Sequence, residues 1–281
     1  MRACEAIQEV MNMKKLKQFI HSGTMVTLVW VLGIAAVWEG FAFYVAQTKR
    51  TPLNVLPHLW QIIGSFFSDK MITGQMTMMQ LIGTSCGETL SRAAVGFLIG
   101  TVLGFLLALL MHLSGIVEKI AFPYLMIIQM IPILGMAPII LAITGDINTS
   151  RIVIAAILTF YPVSTNTLAG FKAVEKEKHE LMYSYAASKF QHYIKTIIPS
   201  SIPYFFTGLK ISAPMAITAS ILVDTLQGGN GLGCMLSQSL KGGMSRLVFW
   251  DIVLISAVIG ILSFYLMGLL EKLVCPYKRK S

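Results

Sequence analysis

Residues able to carry catalysis occur in this sequence, but never at a catalytic spacing. The five histidines are dispersed, and no HExxH pair or GxSxG elbow is present. The run Gln227–Gly233, QGGNGLG, lacks the GK[ST] ending and the flanking strand of a phosphate-binding loop. Cys4, Cys86, Cys234 and Cys275 show neither CxxC nor metal-ligand spacing. Cys86 and Cys234 fall on one side of the membrane layout below, which leaves a disulfide between them open. The reading is a chain with no catalytic residues, no metal and no cofactor of its own.

The remaining chemistry is ionic and lies in apolar surroundings. Glu39, Glu88, Arg92, Lys210, Asp224 and Asp251 stand in or beside long hydrophobic runs. Glu88 and Arg92 are four residues apart, the spacing of a local ion pair on a helix. Lys210 is placed to snorkel toward the inner surface. Glu39 lies deep in its run, where an unpaired charge costs roughly 3 kcal/mol, so it is expected to face protein or water.

The elements that hold these groups follow from composition. The chain has 281 residues, of which 55% are hydrophobic and 12% charged, too few charges to cover a soluble domain of this size. Its apolar runs are continuous rather than alternating, which selects membrane-spanning helices over a β-barrel. Six spans are predicted, over 24–46, 89–113, 120–144, 152–171, 204–226 and 247–270. The net charge of +9 follows from loop lysines and arginines, not from a nucleic-acid surface. With the N-terminus inside, fourteen basic residues fall in inner segments and six in outer ones, so both termini are placed in the cytoplasm. The first run is too long for a cleaved leader and is read as a retained span. Between spans one and two, Trp60, Ile63 and Phe67 share a helical face suited to the membrane interface. The domain plan is a cytoplasmic segment 1–23, a membrane domain 24–271 containing a polar loop 172–203, and a basic cytoplasmic tail 272–281.

Three features inside this plan stand out. Gly96, Gly100 and Gly104 repeat every fourth residue, a smooth stripe for close helix packing within the bundle or against a second subunit. Pro123, Pro132 and Pro138 interrupt span three, where freed backbone either borders a water-filled path or is satisfied by neighbouring helices. The segment Glu180–Pro203 reads as a short helix, a turn near Ala186–Lys189 and a second short helix ended by Pro199, with Pro203 starting span five. By its amphipathic pattern alone, it suits a partner's groove and the lipid surface equally.

That segment resembles the EAA loop of permease subunits in ATP-binding-cassette importers. Glu180, Ala187, Pro199 and Pro203 fall at the spacing of the pattern, and Ala186 replaces its glycine. IPILGMAPIILAITG in span three, Asp224 seven residues before Gly231, and TPLNVLP at 51–57 extend the likeness. Together they look most like the nitrate, sulfonate, taurine and thiamine-precursor branch. The resemblance implies an all-α, polytopic helix bundle of the type I importer permease class in a bacterial inner membrane. It implies a cytoplasmic ATPase dimer carrying ATP and magnesium, a second permease chain, expected to be a second copy of this one, and an extracytoplasmic substrate-binding protein. Coupling to the ATPase is expected from Glu180, Tyr183, Ala186, Ala187, Ser188, Phe190 and Pro199. Gln129, Pro132, Asn166 and Asp224 are the candidates for the translocation pathway of a small organic anion or vitamin precursor. The competing expectations are an ion-coupled secondary transporter and a membrane scaffold that recruits a partner.

Overall fold

The computed structural model describes residues 23–275, apart from 69–70, 74–75, 134, 228 and 243. Expectations for the N-terminal segment, for Cys4 and for the tail beyond Cys275 lie outside the described residues. The chain divides into two compact units, Met1–Ser68 and Asp69–Ser281.

The first unit begins with α1, Gly23–Thr48, which is predominantly apolar and has no polar stripe. Two short helices follow, α2, Pro52–Val55, and α3, Leu59–Phe66. Glu39 of α1 answers the cost of its position by capping α3. Its Oε1 accepts from the Leu59 amide at 2.7 Å, and its Oε2 meets His58 Nδ1 at 2.6 Å. A carboxylate at a helix N-terminus satisfies a donor that has no partner within the helix. Trp38 adds a bond from its indole N–H to the Pro57 carbonyl at 3.1 Å. On α3, Ile62 is buried while Trp60, Ile63 and Phe67 remain exposed on the other side.

The second unit opens with a small antiparallel ribbon, β1, Met71–Thr73, with β2, Met76–Thr77. A capping box between Thr77 and Gln80 then starts α4, Met78–Leu113, eleven residues before the predicted span. Next come α5, Gly115–Met130, α6, Ala137–Thr144, and α7, Ile147–Lys172. Asp146 caps α7 by accepting from both the amide and hydroxyl of Thr149, which holds its carboxyl below the usual carboxylate range. The polar loop holds α8, Lys176–Ser184, and α9, Lys189–His192, and is followed by α10, Ile198–Gln227, α11, Leu232–Leu240, and α12, Arg246–Val274.

Five helical stretches are long and apolar enough to cross a membrane, within α1, α4, α7, α9 through α10, and α12. The predicted third span is not one helix. It breaks between α5 and α6 at Ile131–Met136, because Pro132 pushes Ile131 into extended geometry and Pro138 enters a new first turn. Pro199 also behaves differently from expectation. A π turn, Tyr193–Ile197, precedes it, with the Ile198 amide bonded to the Tyr193 carbonyl. That widened turn accommodates the missing proline N–H, so the second arm of the loop runs without a stop into α10.

The core is organised around α7. The glycine stripe of α4 lies against it, inside this chain. A Cβ on Gly100 would fall 2.4 Å from the Ala156 carbonyl oxygen and 2.7 Å from Thr159 Cβ. Only a residue without a side chain allows that approach. Cys86, Cys234 and Cys275 are free thiols, so the disulfide between the first two is not formed. Lys210 does not snorkel; it forms an ion pair with the largely buried Glu271 of α12.

Candidate functional site

At the outer end of the second unit, the expected pathway residue Asp224 has no exposed surface. It lines no open path in this conformation. Its Oδ1 lies 2.6 Å from Arg151 Nε and 3.5 Å from Arg92 Nη1, and its Oδ2 accepts from Thr89 Oγ1 at 3.0 Å. Thr89 Oγ1 in turn accepts from the Leu232 amide at 3.0 Å. The Asn230 carbonyl accepts from Arg92 at 3.2 Å and from Arg151 at 3.3 Å. Arg92 also pairs with Glu88 at 3.2 Å. One carboxylate therefore ties α4, α7, α10 and the glycine loop together. Gly231, with φ of +115°, makes room for it, since a Cβ there would sit 2.2 Å from Asp224 Oδ2. Sequence reasoning counted Arg151 as a loop charge and missed this role. The available signal was that a buried Asp224 needs a counter-charge, and Arg92 and Arg151 stand at the ends of adjoining spans.

Gln129, Pro132 and Asn166 are brought together elsewhere. Two adjoining hollows of about 430 Å³ each share Gln129, Ile133, Leu158 and Met215. Pro132 and Thr218 border one, and Tyr161, Thr165 and Asn166 border the other. The broken join of α5 and α6 forms one wall, with α7 and α10 opposite. A larger groove of about 990 Å³ lies between α4, α10 and α12, is almost wholly apolar, and has the Lys210–Glu271 pair among its lining residues.

At the inner end, the loop 172–203 is buried at its base and exposed at its tip. Phe171, Val174 and Ile197 pack with Ala108, Met111, Leu125 and Leu168. His112 Nδ1 meets the Tyr193 hydroxyl at 2.8 Å, and Lys172 pairs with Glu118. The His179 and His192 rings stack 4.8 Å apart and staple the two arms. Ser188 caps α9 through a capping box with Gln191. Beyond this base, Tyr183, Tyr185 and Phe190 are 88%, 75% and 73% exposed. Apolar surface of that size on an otherwise polar segment marks an interaction site. Glu180 is exposed and forms no ion pair among the described residues.

The turn at this tip is closed by a defined helix stop. Ala187 N–H donates to the Met182 carbonyl at 3.1 Å, and Ala186 N–H to the Tyr183 carbonyl at 2.9 Å. This is the Schellman pattern, whose penultimate position is left-handed. Ala186 occupies it with φ of +48°, the one positive value outside glycine among the described residues.

Comparisons with known proteins identify the family and the fold. Residues 100–274 match the family described as "Binding-protein-dependent transport system inner membrane component". The chain is 32% identical to the formylaminopyrimidine transport permease protein ThiX of Halalkalibacterium halodurans, over 72% of this chain and 80% of that protein. It is 25% identical to the nitrate import permease protein NrtB of Synechocystis, over 93% and 94% of the two chains. Its fold matches a chain of the inward-facing MetNI methionine transporter with a TM-score of 0.62 at 18% identity, covering 70% of this chain and 97% of that one.

Proposed function

We propose that this chain, which belongs to the family of binding-protein-dependent transport system inner membrane components and is the permease subunit of an ATP-binding-cassette importer, is driven by a separate ATPase docked on its 176–199 segment. The observation that carries this reading is the loop's division into a buried base and an aromatic tip. Tyr183, Tyr185 and Phe190 offer a docking surface, Glu180 offers a charge, and the Phe171–Ile197 cluster anchors both arms to the bundle. ATP and magnesium belong to that partner, and this chain contributes no catalytic group.

Two copies of the chain in a bacterial inner membrane enclose the pathway, and an extracytoplasmic binding protein delivers the solute. Gln129, Pro132 and Asn166 line the pathway of each copy, while Asp224 fixes the outer end of the wall. ATP favours one arrangement of the ATPase pair, and an anchored loop passes that preference to the spans. The solute is a small organic anion such as a sulfonate or nitrate-like ion, or a vitamin precursor; the relatives above are named for formylaminopyrimidine and nitrate.

The test is to replace Glu180 and Ala187 with arginine, singly and together. Both lie on the loop tip, so the melting temperature of the purified chain should hold. Co-purification of the ATPase and ATP-dependent uptake should fall at least about ten-fold, as expected when charge is forced into a docked surface. Normal assembly and uptake in the double variant would refute the docking assignment.

A further inference from the structure

The groove between α4, α10 and α12 takes no part in the proposed pathway. It follows α12 from Ile259, at the middle of that helix, to Lys272 in its last turn. Those thirteen residues rise about 20 Å along a helix. A crossing helix needs about 30 Å of apolar wall, so the groove is short for one and close to the depth of a single leaflet. Its walls include Ala94 and Phe97 of α4, Ala213 and Ile217 of α10, and Leu262 and Leu266 of α12.

Bare apolar wall inside a membrane is covered by protein or by lipid. Helices in lipid have no hydrophobic drive to pair, and they need small residues that let their backbones approach. The outward edge of α12 carries Leu262, Tyr265, Leu266 and Leu269, all exposed and none small. Gly268 is already covered, since a Cβ there would lie 3.5 Å from Lys210 Cε. That edge suits flexible chains better than a second helix.

The inner end of the groove is charged. Lys210 and Glu271 pair there, and together they are neutral. Lys272 is exposed in the same lining and forms no ion pair or side-chain hydrogen bond among the described residues. One unbalanced positive charge therefore stands at the mouth of an apolar trough. On the orientation expected from the loop lysines and arginines, this mouth is cytoplasmic. Basic pockets between spans on that side hold anionic lipid headgroups.

We propose that the groove binds an anionic glycerophospholipid of the inner leaflet, with its acyl chains in the trough and its phosphate against Lys272. The phosphate oxygens accept from the Lys272 ammonium. Because the Lys210–Glu271 pair is neutral as a whole, Lys272 alone supplies the preference for an anionic headgroup over a zwitterionic one. The site goes beyond the importer reading and depends neither on the ATPase nor on the cargo.

The test is native mass spectrometry of the full chain, titrated with phosphatidylglycerol and, separately, with phosphatidylcholine of the same acyl chains. The measurement counts chain copies and bound lipids together. The unaltered chain should bind phosphatidylglycerol more tightly. Lys272→Gln should weaken that binding about five-fold and leave phosphatidylcholine unchanged. Lys119→Gln removes an exposed inner-side lysine of α5, outside the groove, and should change neither. Ala94→Phe fills the trough without touching a charge. Ala94 is exposed, so the fold should hold, and both lipids should weaken by about four-fold for each methylene displaced.

Equal affinity for the two lipids in the unaltered chain, or an unchanged preference in Lys272→Gln, would overturn the proposal. An equal loss in Lys119→Gln would also overturn it, since the attraction would then belong to the basic surface as a whole. Unchanged lipid binding in Ala94→Phe would do the same, and if paired copies separate in that variant, the occupant of the groove is a second copy.

Discussion

Replacing Ala186 with glycine should stabilise the tip of the 172–203 loop. Ala186 sits at φ of +48°, at the left-handed position of the helix stop. An L-residue there carries a backbone cost of roughly 1–2 kcal/mol, which glycine does not. Glycine gives back part of that gain through a looser unfolded chain, roughly 0.5–1 kcal/mol. The expected net gain is about 1 kcal/mol, or about five-fold in the local opening equilibrium. Hydrogen exchange of the Ala187 amide, and of the amide at position 186, reads this equilibrium directly, because both are held by the stop. Each should exchange about five-fold more slowly in Ala186→Gly, with amides in the middle of α7 unchanged. Ala186→Val should have the opposite effect, since a β-branched residue tolerates this region least. Equal or faster exchange in the glycine variant would mean that the loop does not hold residue 186 left-handed, and the account of the turn would fail.

The remaining predictions concern the bundle. Gly100→Leu drives a side chain into the Ala156 backbone and should lower stability by about 1–3 kcal/mol or more, read as a fall in melting temperature in detergent; an unchanged melt would refute the α4–α7 seam. Asp224→Asn leaves the buried Arg151 without its counter-charge and should cost about 3–5 kcal/mol, whereas Asp224→Leu combined with Arg151→Met should recover much of the loss; equal damage from both would show that the ion pair is not the linkage.

The sequence was most readable where one physical rule acts alone. Continuous apolar runs announced the spans, and glycine at every fourth residue announced a seam. The exposed face shared by Trp60, Ile63 and Phe67 followed from helical spacing. It was least readable where two rules compete. Pro199 ought to end a helix, but the π turn at Tyr193–Ile197 absorbs the defect, and a π turn has no compositional mark. Pro132 breaks the third span while Pro123 sits inside α5 without breaking it, so residue type alone does not decide the outcome. Asp224 and Gln129 looked alike as polar residues near spans. Their difference is tertiary: Asp224 meets arginines 73 and 132 residues away in the chain, whereas Gln129 faces a hollow.

The two ends of α7 show how, under the proposed docking, a push on the loop would reach the proposed pathway. Its outer end is fixed by the buried Arg151–Asp224 pair, which resists separation because either partner alone would be left buried without a counterpart. Along its length, Gly100 of α4 on one side and Gly208 of α10 on the other bring backbones close; a Cβ on Gly208 would lie 2.9 Å from the Pro162 carbonyl oxygen. Such seams leave little slack, since a packed interface shifts as a body or not at all. The inner end of α7 carries Phe171 into the same cluster as Ile197 of the loop's second arm. That arm continues without a break into α10. A force on Tyr183 and Phe190 therefore acts on α7 and α10 together, and these two helices carry Asn166 and Thr218. Hinging is then expected at the Ile131–Met136 join, where the backbone leaves the helix, and not at the glycine seams.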